Sequence, residues 1–465
     1  MSMCTSRKRA WYRNGMKQQF STDDLFSKAT PHGAVVSIVD ELSPEDEATL
    51  QALNSREAGG LSVNLAKVVD PDGKTVGRVM DKFYVGYGHQ SIGDCGTTSI
   101  FCDKISILAA KAIQDWELYS GQETSTRYVD VSGVDYVDPI GTPESKAVIE
   151  AWFTFWREEI DVVRKHLTQV FPIQEGQNEG VYDKAIQARA FDVMRAFLPA
   201  ACRTNASWHT NLRQVHDKLT TLRYHPCSEI SALAQTMRDG LKEKYPSSFM
   251  HKEYEEQEAY RKLMGNDWSY FDEEPMADFV FTSTIDRGAY NRYRPLLLDT
   301  RPQKTEPAKF LKEIGNIRVD TLVDYGSYRD LQRHRNGVNR SPLLTTKYGF
   351  EQWYLNALPE ATRVRAEALI TAQKEAIEKI EANEFEKQYL VALGFRVPWR
   401  YTCGLPAAIY LAELRSGKTV HPTARKVAIQ LAEALLTEFP DLKLYADLDP
   451  DDWDIKRGTQ DIVKK

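Results

Sequence analysis

An α+β chain laid out as two tandem halves is what the sequence predicts, on three observations. A short β-branched run at 34–39 (AVVSIV) has strand character among segments with helical periodicity. A polar, aromatic and acidic stretch at 244–280 divides the chain. Two strings also recur in the same order on either side of it: Leu-Pro-Ala-Ala at 198–201 and 405–408, and His-Pro at 225–226 and 421–422. Matches this short arise singly by chance, and it is their shared order that predicts a repeat, with the second copy the shorter.

The elements follow in chain order. After the strand at 34–39, Ser43 caps a helix that opens on Pro44 with Glu45 and Asp46 in its first turn. Residues 103–118 show helical periodicity through Ile105, Leu108, Ala109, Ala112 and Ile113. A long amphipathic helix is predicted over 143–170, with Val148, Trp152, Phe155, Trp156, Ile160, Val163 and Leu167 facing inward. Helical segments follow at 184–198, 206–222 and 227–243. Beyond the dividing stretch come a helix-like piece at 305–314, a loop with Pro342, a charged helix over 358–382 and helices near 405–415 and 421–438.

Length and composition bound the function. With 465 residues, two or three domains are expected. Sixty basic against 66 acidic residues, a net charge of −6, argue against non-specific nucleic-acid binding. The six cysteines (Cys4, Cys95, Cys102, Cys202, Cys227, Cys403) stand singly, so no zinc site or disulfide framework is expected, in keeping with a reducing cytoplasm. No apolar run is long enough to span a membrane. The first residues are basic (Arg7, Lys8, Arg9, Arg13, Lys17) without an apolar core, which reads as a basic arm rather than a secretory signal. Walker A, GxGxxG, HExxH and GxSxG patterns do not occur.

Four clusters have the chemistry to hold a phosphate or a polar ring. Gln332-Arg333-His334-Arg335 places several cationic N–H donors at a helix end, although a charged helix face making ion pairs carries the same letters. Glu123-Thr124-Ser125-Thr126-Arg127-Tyr128 packs a carboxylate, hydroxyls and a guanidinium into one loop, which a solvated connection also permits. Arg195 with Leu198-Pro199, then Asn211, Arg213, Leu222-Arg223 and His225, form a third series that ordinary polar helix faces also explain. Gly88-His89-Gln90-Ser91 reads as a turn with a capping serine or as a ligand contact.

Taken together these motifs resemble the flavin-dependent thymidylate synthase family. That family has a His-rich turn, a helix ending in Arg-His-Arg, a loop reading roughly Ser-x-Asn-Glu-x-Ser-x-Arg-Tyr, an Arg before Leu-Pro, then Asn-x-Arg, Leu-Arg and His. Residues 88–91, 120–128, Arg195, Asn211, Arg213, His225, Glu229 and Ile230 match in the first half. Where the family has Arg-His-Arg, this half has Asp115-Trp116-Glu117, whose carboxylates repel a phosphate. The second half keeps Arg333-His334-Arg335, carries an altered loop with Asn339 and Thr345-Thr346-Lys347-Tyr348, and has Glu413-Leu414-Arg415 before His421.

The resemblance implies two tandem copies of the family's fold, helices packed on a small antiparallel sheet. Residues 1–29 would form an arm, 30–245 the first copy, 246–289 a connection and 290–465 the shorter second copy. It implies reductive methylation of dUMP to dTMP, with FAD, NADPH and methylenetetrahydrofolate. The site would be composite, pairing the loop of one half with the Arg-His-Arg segment of the other, and a homodimer would make a pseudo-tetramer. Arg223 would activate the pyrimidine. Glu123, Ser125, Arg127, Arg195 and Gln332 would hold substrate, and Ser91, Asn211, Arg213, Arg333, His334 and Arg335 the flavin or nucleotide phosphate. A flavoenzyme acting on another pyrimidine nucleotide, and a non-catalytic nucleotide-binding or assembly protein, are the rival readings.

Overall fold

The computed structural model describes residues 26–29, 35–39, 42–55, 60–68, 80, 90–127, 131, 133, 135–249, 252–275 and 277–459. The basic arm, Gly88, His89 and Tyr128 lie outside them. The fold is α+β: among the described residues, helices with two two-stranded sheets and one four-stranded sheet. Among the described residues no helix is long and apolar enough to cross a membrane. The chain divides into two compact units that cut across the sequence boundary near 245.

One unit comprises 1–98, 210–219 and 236–254. Its strands β1 (Phe26–Ala29) and β2 (Val35–Ile38) pair antiparallel. Ser43 Oγ accepts from Asp46 N and caps the helix Pro44–Asn54, as its sequence predicts. Ala48, Leu50, Ala52, Leu65, Val68, Met80 and Ile92 form its apolar core. Gly96 lies so close to the carbonyl of Pro44 that no side chain fits there.

The other unit comprises 99–209, 220–235 and 255–465. Strand β3 (Thr97–Ser106) pairs with β4 (Arg203–Asn211) and runs directly into the helix Ile107–Gln114, capped by Ser106 Oγ. Residues 103–106 are therefore strand, not the start of a helix, because Ser106 leaves the helix only at its N-cap. Likewise 206–211 belong to β4, whose burial alternates along the strand, and the helix begins at Leu212. The predicted long helix spans Pro143–Val170 and starts on a Thr142–Ser145 capping box. Ile160 is only half-buried, and the stripe turns instead onto Glu159, which pairs with Arg365 and accepts from Thr362 Oγ1 at 2.5 Å. The dividing stretch holds the helix Glu255–Asp267.

The four-stranded antiparallel sheet has the order β5 (Phe279–Ser283), β6 (Asn316–Asp324), β8 (Arg396–Gly404), β7 (Gly337–Asn339). From β6 onward the element order of the first half recurs. A strand enters a short helix (Tyr325–Leu331), a loop and a long helix (Glu360–Lys379) follow, and a 3-10 turn (Gln388–Leu390) leads to β8 and the helices Leu405–Arg415 and Pro422–Glu438. The two Leu-Pro-Ala-Ala strings do not occupy matching places: 198–201 precede β4, whereas 405–408 open the helix after β8. The His-Pro pairs do match, each preceding a long helix.

Reciprocal backbone bonds join the two halves. Ala200 N donates to Val391 O at 2.9 Å and Leu393 N to Leu198 O at 2.9 Å, while Ala201 N donates to Tyr389 O and Gly394 N to Ala196 O. The Pro199–Ala392 bridge lies at the centre of this exchange. These contacts bring 195–201 of the first half against 388–394 of the second.

Candidate functional site

The loop 120–127 is tied to β4 by bridges at Ser120–His209 and Glu123–Ala206, and Ser125 Oγ accepts from Arg127 N at 3.3 Å. This fixes where Glu123 and Arg127 emerge. The helix Tyr325–Leu331 ends at Gln332, so Arg333-His334-Arg335 follows a helix C-terminus. Within this one unit, the loop of the first half and the 325–335 segment of the second touch directly. Arg329 Nη2 donates to Glu123 Oε1 at 2.6 Å and Arg329 Nη1 to Thr126 Oγ1 at 3.2 Å. Gln332 Nε2 donates to Lys111 O at 3.0 Å, and Arg335 Nη2 to Gln114 O at 3.2 Å while its guanidinium lies over Tyr119.

Glu123 is buried between two cations, with Lys111 Nζ 2.6 Å from its Oε2. Burial opposes its ionisation, yet Arg329 and Lys111 outweigh that and bring the carboxyl down to about 2. Burial in turn lowers the Lys111 ammonium to about 8, only partly offset by Glu123. A depressed carboxyl stabilises the fold fully above its ordinary value of 4.5, and that contribution is lost as pH falls toward about 2. Glu123→Gln should therefore unfold about 3 kcal/mol more easily than the parent at pH 7. Urea unfolding across a pH series should show the gap closing between about pH 4.5 and 2; a gap independent of pH would refute this account.

A second cluster gathers around Asp330. Arg195, buried at the end of the helix Glu179–Met194, approaches Asp330 Oδ2 at 3.8 Å through Nη1 and Ser327 Oγ at 3.5 Å through Nη2. Burial works against the Asp330 charge, but Arg195, Arg127, Arg415 and Arg333 together hold its carboxyl well below the carboxylate range. Arg195 stands against this carboxylate, and Arg415 Nη2 donates to the Asp330 carbonyl at 3.0 Å. The Arg195 Nε is buried with no hydrogen-bond partner. Arg333 itself is exposed.

Arg127 is held by Asp192, with Nε to Oδ1 at 2.7 Å and Nη2 to Oδ2 at 3.3 Å, and its Nη2 also donates to Thr419 O at 3.1 Å. Asp192 is kept ionised, against burial, by Arg127, Arg457 and Arg195. His421 is neutral because burial and Arg195 disfavour its charge. Its Nδ1 accepts from Thr423 N at 3.3 Å, which leaves Nε2 to donate to Asp192 O at 3.1 Å. His334 is also neutral, lowered to about 3 by burial and Arg415, and its Nε2 accepts from Arg415 Nε at 2.9 Å. It orients a cation and does not act as one.

The remaining predicted residues stand elsewhere. Arg223 pairs with Glu258 and lies over Tyr224. In the other compact unit, Ser91 sits in a 3-10 turn, Asn211 Oδ1 caps the helix that begins at Leu212 by accepting from Gln214 N, and Arg213 Nε meets Asp94 Oδ1 at 2.7 Å. Burial pushes the Cys202 and Cys227 thiols up to about 12, so neither is a thiolate nucleophile. Among the described residues no group of His, Cys, Asp and Glu side chains is arranged to hold a metal.

Sequence reasoning gave Arg415 and His421 no role beyond the second half's pattern, and passed over Lys111, Asp192, Arg329, Asp330 and Arg457. For three of them a signal existed. Arg329 precedes Arg333 by one helical turn, Asp330 adjoins Arg329, and Asp192 precedes Arg195 by three residues.

Residues 42–247 match the family described as thymidylate synthase complementing protein. A UPF0159 protein of Chlamydia muridarum is 26% identical over 83% of each chain, and one of Chlamydia pneumoniae 25% identical over 83% of each. A UPF0159 protein of Thermoplasma acidophilum is 22% identical over 82% of this chain and 91% of its own. These similarities extend well past residue 247, so the relatives share part of the second half too. Residues 42–247 of the chain are thus similar to the thymidylate synthase complementing protein family.

Proposed function

We propose that this chain is a thymidylate synthase-like enzyme formed by tandem duplication, with one composite nucleotide site per chain. The observation that carries the reading is the meeting of the two halves' functional segments: Arg329 bonds Glu123, Arg195 pairs with Asp330, and Arg415 donates to the Asp330 carbonyl. The reciprocal bonds across Pro199 and Ala392 have the form of a twofold contact between copies of one fold, here inside one chain. On this reading 30–245 and 290–465 are the copies, 246–289 connects them, and a homodimer would form a pseudo-tetramer.

The sister position has lost its charge. Gln388 opens the second copy's 3-10 turn where Arg195 opens the first, and its side chain is engaged by Leu344 N and Phe385 O. Lys347, in the place of Arg127, is half-exposed beside Glu274. Leu343, aligned with Glu123 when the two loops are superposed on Tyr128 and Tyr348, is buried.

In the surviving site Arg127, Arg195, Arg333 and Arg415 would hold the phosphate and polarise the pyrimidine, with Ser125, Glu123 and Gln332 shaping the loop. Arg415 closes its helix as Leu222 closes the matching one, and it takes the activating role that the sequence pattern assigns to Arg223. Ser91, Asn211 and Arg213 suit FAD: the Asn211 amide nitrogen and a partly exposed guanidinium supply donors for a nucleotide cofactor. FAD, reduced by NADPH, would supply hydride, and methylenetetrahydrofolate the carbon, to convert dUMP to dTMP. Purified protein should show flavin absorbance that bleaches with NADPH, and its gene should restore growth of a thymidine auxotroph. A colourless protein that FAD cannot reconstitute would remove the enzymatic reading.

A further inference from the structure

The orientation of Arg195 traces through a chain of buried side chains back to the helix that carries it. Ser327, Thr423 and His421, all buried, come from the second half, and Arg195 and Asp192 from the first. Ser327 N donates to Asp324 Oδ2 at 2.8 Å, which fixes the start of the helix Tyr325–Leu331. At Gly326 a Cβ would stand 3.3 Å from Arg195 Nε, so the glycine lets this helix start lie close against the guanidinium. Arg195 Nη2 reaches Ser327 Oγ at 3.5 Å, and the Ser327 hydroxyl in turn bonds the Thr423 hydroxyl. Thr423 Oγ1 lies 2.9 Å from His421 Nδ1, and His421 Nε2 lies 3.1 Å from the Asp192 carbonyl oxygen. Asp192 stands in the last turn of the helix Glu179–Met194, on the same stretch of chain as Arg195.

Every donor in this chain points the same way, and the carbonyl at its end sets the direction. A carbonyl only accepts, so His421 Nε2 carries the proton. Thr423 N donates to His421 Nδ1 at 3.3 Å, so Nδ1 is an acceptor, and the Thr423 hydroxyl facing it directs its single proton there. Thr423 Oγ1 therefore accepts from the Ser327 hydroxyl, and Ser327 Oγ turns only lone pairs toward Arg195. A serine outside such a chain could rotate its proton toward the guanidinium; this one is held as an acceptor. The His421 ring is itself packed against Trp353 and Tyr354, with centroids 5.1 and 5.4 Å away. Tyr354 also hydrogen-bonds Arg195, so Ser327 is one of two hydroxyls that steer the guanidinium. We propose that Thr423 is a positioning residue for Arg195: linked to His421, it holds Ser327 as an obligate acceptor and so keeps the guanidinium aimed at the nucleotide. This rests on the nucleotide reading above.

The test is calorimetric titration of the full-length protein with dUMP, comparing the parent, Thr423→Val and Thr423→Ser, and repeating Thr423→Val in an Arg195→Gln background. Valine keeps the shape and deletes the hydroxyl, and should weaken dUMP binding by about fivefold. Serine keeps the hydroxyl and should bind within about twofold of the parent. With Arg195 gone the chain has nothing to aim, so Thr423→Val should then change affinity by less than about twofold. Parent-like binding by Thr423→Val overturns the inference. So does an equal loss in both backgrounds, or a serine variant as weak as the valine one, either of which makes Thr423 a packing residue. Should Thr423→Val fail to fold, Ser327→Ala takes its place: it keeps the backbone cap to Asp324, breaks the same chain and carries the same expectations in both backgrounds. A parent protein that does not bind dUMP removes the nucleotide reading, and this inference with it. A parent that binds dUMP while Thr423→Val matches it removes this inference alone.

Discussion

Replacing Arg195 with alanine is expected to abolish nucleotide binding and to lower the unfolding free energy by about 3–5 kcal/mol. Arg195 is buried among Asp330, Ser327, Tyr354 and Asp324, and the last two are themselves linked by a Tyr354 hydroxyl hydrogen bond to Asp324 at 2.7 Å. Removing the guanidinium leaves buried carboxylates short of a counter-charge and also opens a gap in packed surroundings. Its contacts to Ser327 and Asp330 are long and its Nε has no hydrogen-bond partner, while the rest of the guanidinium also hydrogen-bonds Tyr354. An incompletely satisfied buried guanidinium is a group with capacity for an anionic ligand.

Arg195→Gln separates the two effects. Glutamine opens the other 3-10 turn, Gln388–Leu390, that packs against Arg195's own turn. Arg195→Gln should fold better than Arg195→Ala while still losing dUMP binding by about a hundredfold. Thermal unfolding and dUMP titration of both variants give the comparison, and retention of parent-like binding by either would take Arg195 out of the site.

The parts legible in the sequence were those whose cause is local. The helix Pro143–Val170 has an amphipathic stripe and its own Thr142–Ser145 capping box, so both its existence and its start are encoded nearby. The strand-to-helix junctions at Ser106 and Asn211 were not read, because each strand enters its helix without a Gly or Pro to mark the break. Along β4 the alternation of Ala206, Trp208 and Thr210 was present, but it was absorbed into the helical pattern that follows. The Leu-Pro-Ala-Ala strings suggested a repeat through a mismatched register, while the reciprocal hydrogen bonds that support one exist only in three dimensions.

The site divides in the same way. The loop at 123–127 and the 332–335 segment stand out because their residue types are concentrated. Asp192, Asp330 and Arg457 do not, since which cation a buried carboxylate meets is decided by tertiary packing. Arg457 lies 265 residues beyond Asp192, and no local pattern ties them. His334 shows the converse: read as a cation from its neighbours, it is made neutral by burial and by the Arg415 guanidinium beside it.

Four substitutions decide whether one composite site or two related sites operate. Arg127→Ala and Arg333→Ala each remove a cation from a different half. Each should weaken dUMP binding by about a hundredfold, the scale of a lost charge-assisted contact of about 2–3 kcal/mol. Asp115→Ala and Lys347→Ala remove charges other than those two, Asp115 acting on Arg335 and Lys347 pairing with Glu274. They should leave affinity within about twofold, and Lys347→Ala in particular removes only an exposed pair with Glu274 at 3.5 Å, worth about 0–1 kcal/mol. Titration stoichiometry checks the same point independently: one nucleotide per chain is expected, and two would mean that both positions bind. If the Asp115 or Lys347 variant proved the damaging one, the loop of the second half would be the working loop. The contacts of Arg195 and Arg415 with Asp330 would then be structural.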